Sequence, residues 1–392
     1  MSRIAPPFKP LRAYANWGRA NLEMLRRSGR ISARPLKLTI DPTNVCQLRC
    51  PLCPTGAGLL DRQAGHVALD AIEALIDEVG DYVFFIDFFN WGEPLLNPRL
   101  EDMIARAERK RISTQVSSNL SLPLSDERIR RLIESGLHGL VCSIDGASQE
   151  TYGKYRRRGS FDLAFGNMER ILAMRRAMSR ARPVLTWQFL VFKFNQHEME
   201  AAQRMASAIG VDRLSFEAPF VEPGRYGFSA EDAAEMRAWI PDDPRFNRYD
   251  PRSPHYVSPH EAARTRKRCD WHYVSTAVNW DGAVAPCCTV HETKDDFGRL
   301  QPGRAYMDVV NNEAFVGIRE RFAGRRRVAT GLVCETCPTP FIMGYASAVN
   351  RRIAFFVFVR LLEAIRRPFR RRPRIAGTLP APAGLGGASS GP

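Results

Sequence analysis

From Leu36 to Phe220 the chain repeats one pattern: a short apolar run, a turn, then an amphipathic run of helical period. LKLTID (36–41), YVFFIDFF (82–89), ISTQVSS (112–118), GLVCSID (139–145), VLTWQFLVF (184–192) and RLSFEAPF (213–220) read as strands. Segments 67–80, 100–110, 126–136, 161–178 and 198–210 read as helices between them. No other feature narrows the fold as much. Regular β-α alternation calls for parallel strands, because each helix carries the chain back to the same end of the sheet. With right-handed crossovers the outcome is an α/β parallel sheet or barrel. In a barrel the loops leaving the strands gather on one face, and function is sought there.

The first of those loops, DPTNVCQLRCPLCPTG (41–56), carries Cys46, Cys50 and Cys53 at C-x3-C-x2-C spacing. Pro6, Pro7 and Pro10 stand where a secretion signal would need an apolar core, so the chain reads as cytoplasmic and its nine cysteines as reduced. Clustered thiols in that setting point to metal or iron–sulfur ligation. Three thiolates on one loop can hold three irons of a 4Fe–4S cube, leaving the fourth iron open to another ligand. Zinc is the competing reading. It usually takes four ligands, often as paired C-x2-C units, and no histidine lies near this loop.

Later strand ends add polar residues in turn. Asn90-Trp91-Gly92-Glu93-Pro94 follows the second strand, Ser117-Ser118-Asn119 the third, and Ser143-Ile144-Asp145-Gly146 the fourth. With the cysteine loop, these segments resemble the radical SAM superfamily over residues 36–222. The resemblance implies a partial (β/α)6 TIM-like barrel holding a 4Fe–4S cluster and S-adenosylmethionine (SAM). It implies that the open iron chelates the methionine moiety of SAM. Gly92 and Glu93 match the stretch that holds the SAM amino group, with Trp91 in place of the family's first glycine. Ser117 and Asn119 match the stretch near the methionine or ribose, and Ser143 and Asp145 belong to the same site. Arg156, within TYGKYRRRGSF, matches an arginine that pairs with the SAM carboxylate. Gln188 and Asn195 fall where relatives place cofactor contacts, and Glu217 is a weaker candidate. Leu52 stands where the family usually has an aromatic residue beside adenine. Each polar residue, taken singly, also fits a turn or a solvated loop.

Cys269, Gly282, Cys287, Cys334 and Cys337 form C-x12-G-x4-C…C-x2-C. This is similar to the SPASM/twitch auxiliary modules of radical SAM enzymes. It implies a small β-hairpin and helix domain with a second 4Fe–4S cluster on Cys269, Cys287, Cys334 and Cys337. A four-thiolate zinc ribbon is the competing structural reading. Cys288 is left over, since adjacent residues rarely point at one metal, and Cys142 reads as a small core residue. The implied divisions are a basic leader helix (1–35), the barrel (36–240), a linker (241–265), the auxiliary domain (266–345), a basic amphipathic helix (346–375) and a disordered tail (376–392).

The resemblance implies an enzyme that cleaves SAM reductively, with a flavodoxin- or ferredoxin-type donor, to a 5′-deoxyadenosyl radical that abstracts a substrate hydrogen. A fully ligated auxiliary cluster suits electron removal, hence a two-electron oxidation such as that of a cyclitol or sugar alcohol. Asp41 is a candidate base. Peptide maturation is the alternative, although only 45 residues precede Cys46, few for a peptide-recognition domain. A lipid-linked or polysaccharide substrate is a third reading, and a non-catalytic zinc or iron–sulfur scaffold a fourth. Net charge helps to exclude nucleic acid. Of the total of +15, a net +8 sits in residues 1–37 and another +8 in 351–392, so the body carries no basic stripe. The helix around IAFFVFV (353–359) is too short to span a bilayer. It either lies at the inner membrane face as a peripheral contact or docks on the barrel.

Overall fold

The computed structural model describes residues 8–219, 234–235, 237–247, 269–327, 329–335, 337 and 345–366. Six parallel strands, β1 (Lys37–Ile40), β2 (Phe85–Phe88), β3 (Ser113–Ser118), β4 (Gly139–Ser143), β5 (Val184–Leu190) and β6 (Arg213–Glu217), pair in sequence order. Helices Leu69–Val79, Leu100–Arg109, Asp126–Glu134, Phe161–Ala177 and Met199–Ile209 return the chain between them. Side chains of Ser125, Ser148 and Ser160 accept from the amides three residues on and fix where helices start. Gly210 closes the helix before β6 in the left-handed conformation, φ +65°. On β3, β4 and β5 burial alternates: Val116, Leu140, Cys142, Leu185, Trp187 and Phe189 are buried against the helices. Gln115, Ser117, Val141, Ser143, Thr186, Gln188 and Leu190 alternate with them and are only half-buried, so they form the row that faces the lumen.

The predicted strands and helices are present, with ends shifted by up to three residues. An additional helix, Gln149–Tyr155, precedes Arg156. The second cysteine module joins the barrel rather than standing apart. β7 (Ser275–Val278) pairs in parallel with β1, Lys37 opposite Ser275 and Ile40 opposite Val278. β8 (Ala283–Ala285) and β9 (Gly298–Arg299) add antiparallel, giving one nine-stranded sheet. This covers the β1 edge, whose amides and carbonyls would otherwise stay unpaired. Gly282, at φ +82°, makes the β7–β8 turn that its position predicts.

Two terminal helices close the end of the sheet where strands begin. Leu11–Leu25 buries Ala13, Asn16 and Ala20. Lys9 Nζ donates to the carbonyls of Gly80 and Lys110, each at 2.7 Å. Helix Tyr345–Arg366 buries Ala346, Val349 and Ile353 and sets Arg352 over the Phe85 ring at 4.3 Å. Trp17 Nε1 donates to Asn350 Oδ1 (2.7 Å), joining the two helices. Within its described side chains the C-terminal helix is therefore docked on the barrel. The predicted tail, and most of the predicted linker, lie outside the described residues.

Candidate active site

The loop after β1 brings Cys46, Cys50 and Cys53 together with residues from four other strand ends. Gly56 allows the loop to fold back: a Cβ there would sit 2.4 Å from the Cys50 carbonyl oxygen. Gly92 does the same for the loop after β2, where a Cβ would lie 1.9 Å from the Thr43 carbonyl oxygen. The Glu93 amide donates to the Val45 carbonyl (2.8 Å), locking the two loops edge to edge. Glu93 itself is buried. Its Oε1 accepts from the Leu95 amide (3.0 Å) and its Oε2 from the Asn119 amide (2.8 Å). Burial pushes its carboxyl up, and those two amides oppose the shift.

Asn119 is thereby aimed at the cysteines. Its Nδ2 lies 3.9 Å from Cys46 Sγ, and its Oδ1 accepts from Gln47 Nε2 (2.8 Å). From the β4 end, Asp145 Oδ2 accepts from Arg156 Nε (2.6 Å), while Arg156 Nη1 lies 3.9 Å from Cys50 Sγ. Asp145 Oδ1 accepts from the Leu190 amide (2.7 Å), which anchors the pair to β5. Ser117 and Ser143 hydroxyls meet at 3.1 Å across the lumen face, with Gln188 paired beside Ser143. Leu52 packs with Leu48, Cys50, Tyr155 and Phe192. Burial pushes the Cys46 thiol up to about 12 and the Cys50 thiol to about 11; the Arg156 charge works against the latter. Donors on the sulfurs favour the thiolates that iron requires, and ligation would release their protons.

In the second module, Cys287 lies in one small apolar cluster with Cys269 packed against it, Cys334 lies in the next, and Val333 packs against both. Burial pushes the Cys269 and Cys334 thiols up, and the charges of Cys287 and Cys337 act on both in the same direction. Cys288 packs against the same small apolar cluster as Cys269, beside Cys287, and burial pushes its thiol up to about 12. Among the described residues no cysteine is in a disulfide. Among the described residues no three His, Cys, Asp or Glu side chains converge as a single metal ion requires.

The matches to protein families follow this division. Residues 40–203 match the radical SAM superfamily model, and 269–338 match SPASM, an iron–sulfur cluster-binding domain. The chain belongs to the radical SAM superfamily. As a radical SAM enzyme it binds SAM and a 4Fe–4S cluster, and its SPASM domain adds auxiliary iron–sulfur binding. It is 27% identical to the mycofactocin maturase MftC of Mycobacterium ulcerans over 39% of this chain and 40% of that protein. It is 26% identical to the PqqA peptide cyclase of Rhodopseudomonas palustris over 49% of each. The matches therefore span about half or less of those relatives. Among solved structures, Streptococcus suis SuiB bound to its precursor peptide SuiA superposes with a TM-score of 0.53 at 15% identity, over 84% of this chain and 74% of that one. That likeness is one of fold.

Contacts between the radical SAM loops and the SPASM module could not be read from the sequence. Arg62, just beyond the cysteine loop, donates to Asp281 Oδ2 (2.6 Å) and to both oxygens of Asp296 (2.9 and 2.7 Å). Trp280 covers Gly65, where a Cβ would lie 2.4 Å from its ring. Trp91 meets His291 edge-on at 5.5 Å. With its amide turned to suit both neighbours, Asn90 donates to the Cys288 carbonyl (3.0 Å) and accepts from Trp91 Nε1 (2.9 Å). Tryptophan in place of glycine at 91 was the only sequence signal of this bridge.

Proposed function

We propose that this radical SAM enzyme carries out a net two-electron oxidation of a peptide substrate, with Cys46, Cys50 and Cys53 holding the catalytic cluster and Cys269, Cys287, Cys334 and Cys337 the auxiliary one. The observation that carries the proposal is the pairing of Asn119 with Cys46 and of Arg156 with Cys50 at 3.9 Å, which joins two strand ends to one thiol loop. When bound, the reduced cluster and SAM supply a 5′-deoxyadenosyl radical able to take hydrogen from an unactivated carbon. The chain's residues bind and orient. Glu93, spent on two amides, keeps lone pairs for an ammonium group. Arg156, fixed by Asp145, keeps guanidinium donors for a carboxylate. Leu52 offers an apolar surface to adenine, and Ser117, Ser143 and Gln188 line the lumen beside it.

An oxidation also releases a proton, and Asp41 is the proposed acceptor. Its Oδ1 accepts from the Trp91 amide (3.3 Å), while the buried Oδ2 has no partner among the described residues. Burial pushes this carboxyl up to about 7, well placed for general base work. Likeness to the PqqA peptide cyclase supports a peptide substrate. A second reading, oxidation of a cyclitol or sugar alcohol, is supported by the count of four cysteines, Cys269, Cys287, Cys334 and Cys337, which as ligands of one cube leave no open iron.

The test is anaerobic reconstitution, reduction and addition of SAM. The expected result is 5′-deoxyadenosine formation that is lost in Cys50→Ala, with about eight irons per chain. Zinc in place of iron and no product would overturn the proposal. Deuterium transfer from a labelled cyclitol, and none from peptides, would replace the peptide by the alcohol.

A further inference from the structure

Among the described residues, all six exposed large hydrophobic side chains lie on or beside the two terminal helices: Phe8, Leu11, Leu22, Leu25, Phe355 and Phe358. Leu11 is 87% exposed, Leu25 76% and Phe358 58%. They are not scattered. In helix Leu11–Leu25, Leu11, Gly18 and Leu25 recur every seven residues, with Ala15 and Leu22 between them, so all five share one exposed stripe. Arg12, Arg19 and Arg26 recur at the same interval one position on and form an exposed row along one flank. The opposite side of the helix, Ala13, Asn16 and Ala20, is buried on the barrel. Asn350 bonds Trp17 and Asn21, which sets the C-terminal helix alongside, with Arg351, Phe355 and Phe358 exposed. The sequence continues with Arg367, Arg370, Arg371, Arg372 and Arg374.

We propose that this paired-helix face is a docking surface for an anionic lipid bilayer. Charge selects the occupant. An apolar stripe flanked by arginine suits the boundary between acyl chains and acidic headgroups. A second copy would set two arginine rows against each other. Folding has already covered the inward face of each helix, so the outward stripe is surplus to the core. The geometry also sets an orientation. The helices lie where strands begin, over Phe84 and Phe85, whereas the cysteine loop follows the end of β1. The mouth of the barrel then faces water, and substrate arrives from solution rather than from within the bilayer. The surface stands independently of the proposed reaction.

The experiment is flotation of the full reconstituted chain with phosphatidylglycerol-containing vesicles and with pure phosphatidylcholine vesicles, beside sedimentation of the lipid-free protein. Expected is binding to the anionic vesicles alone, weakened at about 0.5 M salt, where the Debye length falls to a few ångströms. Leu11→Glu/Leu25→Glu and Phe358→Glu should each lower partition at least ten-fold with iron content and circular dichroism unchanged, and Arg19→Glu/Arg26→Glu should do the same. No binding by the wild type would overturn the proposal. So would variants that bind as well as wild type while removal of 367–392 abolishes binding. A wild-type dimer that Leu11→Glu/Leu25→Glu turns into a monomer would also overturn it, making the face a contact between copies.

Discussion

Replacing Arg62 by Met tests whether one buried cation holds the SPASM hairpin onto the barrel. Its guanidinium makes three charge-assisted hydrogen bonds, one to Asp281 and two to Asp296, at 2.6–2.9 Å. Its side chain is only 5% exposed, and the two carboxylates are 17% and 15% exposed. Methionine fills a similar volume but leaves both acids facing each other. Asp281 retains the Ala283 amide and Arg299, whereas Asp296, among the described residues, keeps a long contact from Asn279 (3.4 Å) and the more distant Arg299 charge. Breaking a buried ion pair from one side costs about 3–5 kcal/mol. The residual solvent access of both acids places this case at the lower end, about 3 kcal/mol, or roughly a hundred-fold in the opening equilibrium. The effect should be local. Amides of Asn279, which bonds the Ala283 carbonyl, and Leu300, which bonds the Gly282 carbonyl, report hairpin opening. Their hydrogen exchange should accelerate roughly a hundred-fold, while core amides of β3 and β4 change little. Unchanged exchange at Asn279 and Leu300 would refute the reasoning, because it would mean that packing of Trp280 on Gly65 suffices without the cation.

Asp41→Asn keeps the acceptor for the Trp91 amide and removes a carboxyl whose native value of about 7 lies above its ordinary 3.8. The native state then holds the extra proton between those values, so the wild type loses stability as pH rises from about 4 to about 7, by at most about 4 kcal/mol. The variant should lack that slope in urea titrations at pH 5 and 8 and, if Asp41 accepts the proton, should turn over substrate more slowly while still cleaving SAM. Gly92→Ala forces a Cβ against the Thr43 carbonyl and should cost more than about 2 kcal/mol in denaturant melts, with loss of SAM cleavage. Asp145→Asn leaves Arg156 without its counter-charge, so KM for SAM should rise at least ten-fold at unchanged iron content. Cys334→Ser should reduce the bound iron from about eight to about four per chain, whereas Cys288→Ser should leave it unchanged.

Local pattern in the chain carries the repeating architecture and the chemistry at its strand ends. Hydrophobic periodicity distinguishes strand from helix locally, and parallel pairing follows from the alternation, so β1 to β6 were legible from the pattern alone. The thiol loop was legible because a cluster needs cysteines at fixed spacing along the chain. How distant segments meet is settled by folding alone. The pairing of β7 with β1, residue 275 against residue 37, leaves no periodic trace, because any free strand edge offers the same hydrogen bonds. Arg62 looks like a loop cation until Asp281 and Asp296 fold over it. Glu93 and Asn119 suggest ligand contacts in sequence, yet the amide that joins them shows that the carboxylate first builds the site. The terminal helices make the same point. Their amphipathic pattern says that each has an apolar side, but only packing shows that Ala13, Ala20 and Ile353 face the barrel while Leu11, Leu25 and Phe358 are left exposed by the chain. Periodicity records that a side chain is apolar, and tertiary contact alone decides whether the molecule itself provides the surface that covers it.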